Sequence, residues 1–190
     1  MNKQPELRAQ TRQALMDAFF DIYRTTRLEK ITVREITQKA GYHRGTFYEY
    51  FKDTHDVLMQ IEDSLIPKPE DLPPHAMPTR HFGMPMDFFL KLYEKNSDYY
   101  AVLMGSNGDP VFTRKLKDST KPLITEVLRT QFEGTEEELL ATVEYTVSAM
   151  IGVMSDWYQR GKPMDSKALL QLTTDIMHHG VGKRMKSAHD

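Results

Sequence analysis

Residues 43–52 read His-Arg-Gly-Thr-Phe-Tyr-Glu-Tyr-Phe-Lys. The run offers a guanidinium, an alcohol, two phenols and an ammonium, which are groups suited to binding a polyanion. Arg44 presents a fork that can pair with guanine O6 and N7. Thr46 can touch a thymine methyl or a phosphate. Tyr48 and Tyr50 carry hydroxyls of the kind that bind phosphate oxygens, and Lys52 adds a cation beside them. Gly45 removes a side chain where another backbone can approach closely. The opposing reading is plain amphipathic cover, which Tyr and Arg often supply.

Charge is unevenly spread along the chain. Residues 1–52 hold ten Lys/Arg and six Asp/Glu, a net +4, whereas the rest is −6 in a chain of −2 overall. A basic first quarter on an acidic body is the distribution expected of a nucleic-acid-binding module joined to another part.

Other chemistries find little support. The chain has no cysteine, which excludes thiolate metal sites and a Cys nucleophile. His178 and His179 are adjacent, so on a helix they point about 100° apart, and no third ligand is near in sequence. No serine sits in a G-x-S-x-G elbow, and no Gly-rich phosphate loop is present. Neither an enzyme, a metal site nor a cofactor is expected. No stretch reaches the roughly 20 apolar residues of a membrane span. No apolar segment follows the first residues, Met1 to Glu6, so a cytoplasmic protein is expected.

The elements that must position residues 43–52 are helical. Leu15, Ala18, Phe19, Ile22 and Tyr23 form one apolar face, which predicts a helix from about Pro5 to Thr26. Thr32-Val33-Arg34-Glu35 is a capping box and opens a helix over 32–40. Gly41 can take the left-handed conformation that stops it. A short helix over about 43–50 follows, with Phe47 and Phe51 turned to the core. Asp53, with Asp56 at the third helical position, caps a helix carrying Val57, Leu58, Ile61 and Leu65. Two short helices joined at Gly41-Tyr42 describe a helix-turn-helix, whose second helix enters the major groove.

Pro67, Pro69, Pro73, Pro74 and Pro78 forbid a regular helix over about 66–78 and mark the boundary to a second part. Beyond it, helices are expected over 87–96, 97–104 and 110 to about 132, where Pro122 should kink or split the last. Further helices are expected from 135 to about 160, ended by Gly161, and from about 165 to 185. No alternating strand pattern appears. The expected fold is all-α: a three-helix helix-turn-helix domain over 1–52, a connecting helix over 53–65, and a helical bundle over 66–190.

Residues 31–58, ITVREITQKAGYHRGTFYEYFKDTHDVL, resemble the signature of TetR-type transcriptional regulators. The matching positions are Ile31-Thr32, Ile36, Ala40-Gly41, Gly45 to Tyr48, Tyr50-Phe51 and Val57-Leu58. Trp157 to Gly161 followed by Pro163 is similar to the C-terminal part of some members. The resemblance implies a homodimer on a palindromic double-stranded DNA operator, released by a small effector. Carried over by position, Thr32, Tyr48, Tyr50 and Lys52 are phosphate contacts. Arg44 and Thr46 read bases, and Arg34 and His43 belong to the same surface. Two positions depart from the pattern. Thr54 stands where the family usually has a lysine, and His43 where a small polar residue is common.

The second part is rich in Met and aromatic residues. Most must build its core, and the rest suit an adaptable ligand pocket. An apolar, planar effector is expected among Phe89, Tyr93, Tyr100, Met104, Met150, Met154 and Trp157, near the end of the helix over 53–65. The long helix over 135–160 is apolar on more than one side, so with the last helix it is the expected dimer seam. An adaptor that binds another protein through the same half is the alternative reading.

Overall fold

The computed structural model describes residues 3–68, 70, 86–105, 108–129 and 132–180. Among them the protein is all-α and divides into two compact units, residues 1–65 and 66–190. Phe88 and Phe89 lie on a described helix, but their side chains fall outside the described residues. So do the prolines from Pro69 to Pro78 and the expected end of the last helix at Met185.

The first unit has four helices: α1 (Lys3–Tyr23), α2 (Val33–Ala40), α3 (Arg44–Tyr48) and α4 (Thr54–Leu65). Leu15 and Phe19 of α1, Ile36 of α2, Phe47 of α3 and Val57 and Ile61 of α4 are buried together. Met16 and Phe20 are buried too, so α1 is covered over a wider arc than the expected face. Emptying one such aromatic site, as in Phe19→Ala, costs about 3–5 kcal/mol.

Local chemistry fixes where these helices begin and end. The Glu35 N–H donates to Thr32 Oγ1 at 3.3 Å, and the Thr32 N–H donates back to Glu35 Oε2 at 2.9 Å. Gly41 stops α2 at φ +75°, a conformation that costs an L side chain strain. The helix α3 is shorter than the 43–50 expected. The N–H groups of Tyr50 and Phe51 both turn onto the Phe47 carbonyl at 3.0 Å, which tightens the chain into a turn. Asp53 Oδ1 then accepts from the Asp56 N–H at 2.8 Å and starts α4.

The second unit holds α5 (Met86–Lys95), α6 (Ser97–Leu103), α7 (Pro110–Arg129), α8 (Glu136–Gln159) and α9 (Ser166–His179). Its core lies between α7, through Phe112, Leu116, Leu123 and Val127, and α8, through Leu139, Val143, Val147 and Ile151. Pro122 does not split α7, which runs unbroken through it. The missing N–H leaves one carbonyl without its helical bond, which water can take up at the helix surface. Thr135 and Glu138 form a second capping box at the start of α8. Ser155 Oγ and Gln159 Nε2 of α8 donate to the Met104 carbonyl at 3.0 and 3.4 Å, closing the end of α6. None of the described helices is long and apolar enough to cross a membrane.

Candidate nucleic-acid interface

Burial on one side of α2 and α3 forces the other side outward. Ile36 and Phe47 point into the first unit, and the surface opposite them carries Arg34, Gln38, His43, Arg44 and Tyr48. A concavity between the two helices is lined by Arg34, Thr37, Gln38, Tyr42, His43 and Arg44. Tyr48, 59% exposed, lies edge-on against Phe47 at 5.5 Å, so a buried ring props an exposed one. Tyr50 is half-buried and Lys52 exposed at the turn into α4.

The cations differ in whether they are already engaged. Lys39 is paired with Asp21 at 3.3 Å, which ties α2 to α1. Arg34, Arg44 and Lys52 have no carboxylate partner among the described residues, so their charge faces outward. Thr32 stands differently from the other expected contacts. Its hydroxyl donates to Glu35 Oε2 at 2.7 Å and its N–H to the same oxygen. Those two bonds hold the Glu35 carboxyl below its usual range, so an anion sits beside Thr32. The donors of Thr32 belong to the helix cap.

A hydrogen-bond network braces the segment that carries Tyr50 and Lys52. Gln60 of α4 donates to the Tyr50 carbonyl at 3.4 Å and to Asp56 Oδ1 at 3.2 Å. Asp56 Oδ2 accepts from the Lys52 N–H at 2.8 Å. Arg12 of α1 donates to Gln60 Oε1 at 2.6 Å and lies over the Phe51 ring at 5.8 Å. Arg8 lies over the Tyr50 ring at 5.7 Å. Sequence reasoning missed Arg8, Arg12, Gln38 and Gln60. Gln38 was visible, four residues after Arg34 on one helix face. The others meet the site only through long-range packing.

The residues expected to hold an effector are only partly gathered. A cavity of about 330 Å³ in the second unit is lined by Tyr93, Met150, Met154 and Trp157, with Lys162, Met164, Leu169 and Leu170 added. Tyr100 and Met104 are 0% and 2% exposed and lie in the core instead. Tyr100 is enclosed by the rings of Tyr93, Phe112 and Tyr158 at 4.8–6.4 Å, and this burial pushes its hydroxyl pKa upward. The His178–His179 pair joins no cluster of metal ligands among the described residues.

A TetR-type family model described as "Transcriptional regulator C-terminal region" matches residues 86–179. A search of curated proteins gave no match. Three solved structures share the fold over most of both chains. The dihydroxyacetone kinase operon activator DhaS has a TM-score of 0.66 at 18% identity, covering 93% of this chain and 98% of its own. A TetR transcriptional regulator from Streptococcus agalactiae has 0.63 at 19%, covering 92% and 97%. The fatty acid degradation regulator FadR from Bacillus halodurans has 0.69 at 15%, covering 90% and 96%. With its outward α2–α3 surface, its all-helical body and the match across that body, the chain belongs to the TetR family of transcriptional regulators.

Proposed function

We propose that the protein represses transcription as a homodimer that binds a palindromic operator and releases it when a small effector occupies the second unit. The observation that carries this reading is the set of uncommitted groups on α2 and α3. Arg34, His43, Arg44 and Thr46 stand beside Tyr48, Tyr50 and Lys52, while Lys39 is neutralised internally. In the proposed complex α3 lies in the major groove. Arg44 and Thr46 read bases, Arg34 and His43 flank them, and Tyr48, Tyr50 and Lys52 hold phosphates. Thr32 is assigned to the cap of α2 and not to the phosphates.

The dimer is proposed on α8. Its buried face holds Leu139, Val143 and Ile151, and its opposite face carries Ala141, Tyr145, Ala149 and Gly152. Tyr145 is 63% exposed there, and a side chain added at Gly152 would meet nothing within 4 Å. Small residues around one aromatic ring allow two such helices to pack closely across a two-fold axis.

Selection of bound duplexes from a random pool tests the whole reading. The expected product is a palindrome whose half-sites lie about one helical turn, 34–36 Å, or a longer compatible distance apart. A reporter behind that sequence then reads the sign of regulation. Recovery of no sequence, together with a protein partner bound to the second unit, would replace this reading with the adaptor.

A further inference from the structure

The cavity of the second unit is apolar over most of its wall, with Met150, Met154, Trp157, Leu169 and Leu170 among its lining. One charged side chain at its edge stands out by its backbone. Lys162 has φ +60°, and among the described residues it is the non-glycine with a positive φ. It also precedes Pro163, and proline restricts its predecessor to extended conformations. Strain of this kind persists where the surroundings impose it, and it gathers at ligand clamps. Glycine would occupy the position without that strain.

That side chain is directed at the cavity. Its ammonium donates to Ser97 Oγ and lies 5.5 Å from the centre of the Tyr158 ring and 5.9 Å from that of Trp157. It has no ion pair with a described carboxylate. Two carboxylates, Glu94 and Asp165, line the same cavity, and each accepts from a group other than Lys162. Asp165 Oδ1 accepts from the N–H groups of Lys167 and Ala168 at 2.9 and 3.2 Å. Glu94 Oε1 accepts from Ser166 Oγ at 2.8 Å. An organic cation would have to share the aromatic corner with an ammonium already there. An anion would instead find a counter-charge, with hydroxyls beside it.

We propose that this cavity binds an amphipathic organic anion, an apolar body bearing one carboxylate, with Lys162 as its counter-charge. The assignment rests on the effector reading above and names the chemistry of that effector.

Trp157 is the one tryptophan of the chain and lines the cavity, so its emission reports occupancy. The full-length protein is titrated with decanoate, 1-decanol and decyltrimethylammonium, which share a ten-carbon tail and differ in head charge. Decanoate should bind about tenfold tighter than the other two, the effect of a charge-assisted hydrogen bond. Lys162→Met should bring decanoate down to the affinity of decanol and leave decanol unchanged, and Lys162→Arg should retain the preference. Lys162→Gly suits the positive φ and so keeps the fold while removing the charge. It should lose the preference as Lys162→Met does. Equal affinity for the three heads, tightest binding of the cation, or no binding of any would overturn the assignment. The selected operator is included in parallel. Release of DNA by the cation alone would sink the anion and spare the effector reading. Decanoate binding that leaves DNA bound would keep the site and sink the effector reading.

Discussion

At the scale of single residues, phosphate-binding and base-reading side chains separate by their response to salt and to sequence. Lys52→Ala should weaken all DNA sites alike and flatten the salt dependence by about one unit for each phosphate that the variant leaves unneutralised. Arg44→Ala should cost roughly 1–3 kcal/mol per good base contact and relax one position in each half-site of the selected motif. An unchanged motif would remove Arg44 from the reading set. Gly45 makes the sharpest case, because a Cβ there would meet nothing within 4 Å inside the protein. Gly45→Ala should therefore raise the stability of the free protein, by up to about 1 kcal/mol in helix propensity. Thermal melting reads that gain, and operator titration should show weaker binding from the same variant if DNA backbone approaches there. Most of these residues are legible in the sequence because they sit in one run of ten. The commitment of Thr32 to Glu35 is half legible. The spacing predicts the capping box, but a hydroxyl used by a cap and one left for a phosphate look the same in a string of residues. The supports from Arg8, Arg12 and Gln60 are not legible at all. They come from helices whose packing against residues 50–51 no local spacing encodes.

At the scale of elements, α8 offers a test that separates dimerisation from folding. Ile151 is 6% exposed and belongs to the chain's own core. Ile151→Asp should unfold the second unit. Tyr145→Asp and Gly152→Glu should instead give a helical monomer by light scattering with unchanged circular dichroism. Variants that stay dimeric would place the seam elsewhere. Helix starts are readable because caps are short-range chemistry, as at Thr32, Asp53, Asp109, Thr135 and Asp165. Which side of a doubly apolar helix faces its own chain is not, because Leu139, Tyr145 and Ile151 are all apolar and only packing sorts them. The α7–α8 pair also carries a pH-dependent clasp. Glu144 accepts from Lys117, Lys121 and Ser148, and these bonds hold its carboxyl down at about 2, from an ordinary 4.5. A depressed carboxyl contributes stability that is complete above its unfolded value and is lost as pH falls through its folded one. The melting-temperature difference between wild type and Glu144→Gln should hold steady above pH 4.5 and shrink towards pH 2. The clasp is exposed, so high salt should shrink it as well.

At the scale of the whole molecule, the positive charge gathered in residues 1–52 and the negative charge beyond it divide the labour of encounter. Association with DNA should be steered by the basic part and should slow steeply as ionic strength rises, which stopped-flow mixing with the selected duplex would measure. The boundary between the two compact units, after Leu65, falls where the prolines of the sequence begin. The cavity is legible only in part, since Tyr93, Met150, Met154 and Trp157 are expected there while Ser97, Lys162, Leu169 and Leu170 join them through folding alone. Gln38, His43, Arg44 and Gly45 lie on the outward side of α2 and α3, whereas Ile36 and Phe47 on the same two helices hold the core. Exchanging the outward set costs the fold little, as surface changes typically stay within about 0.5 kcal/mol. Such positions can drift under selection while the scaffold stays fixed. After gene duplication, two copies of this chain can part company over their target sites within a few substitutions, without passing through an unstable ancestor.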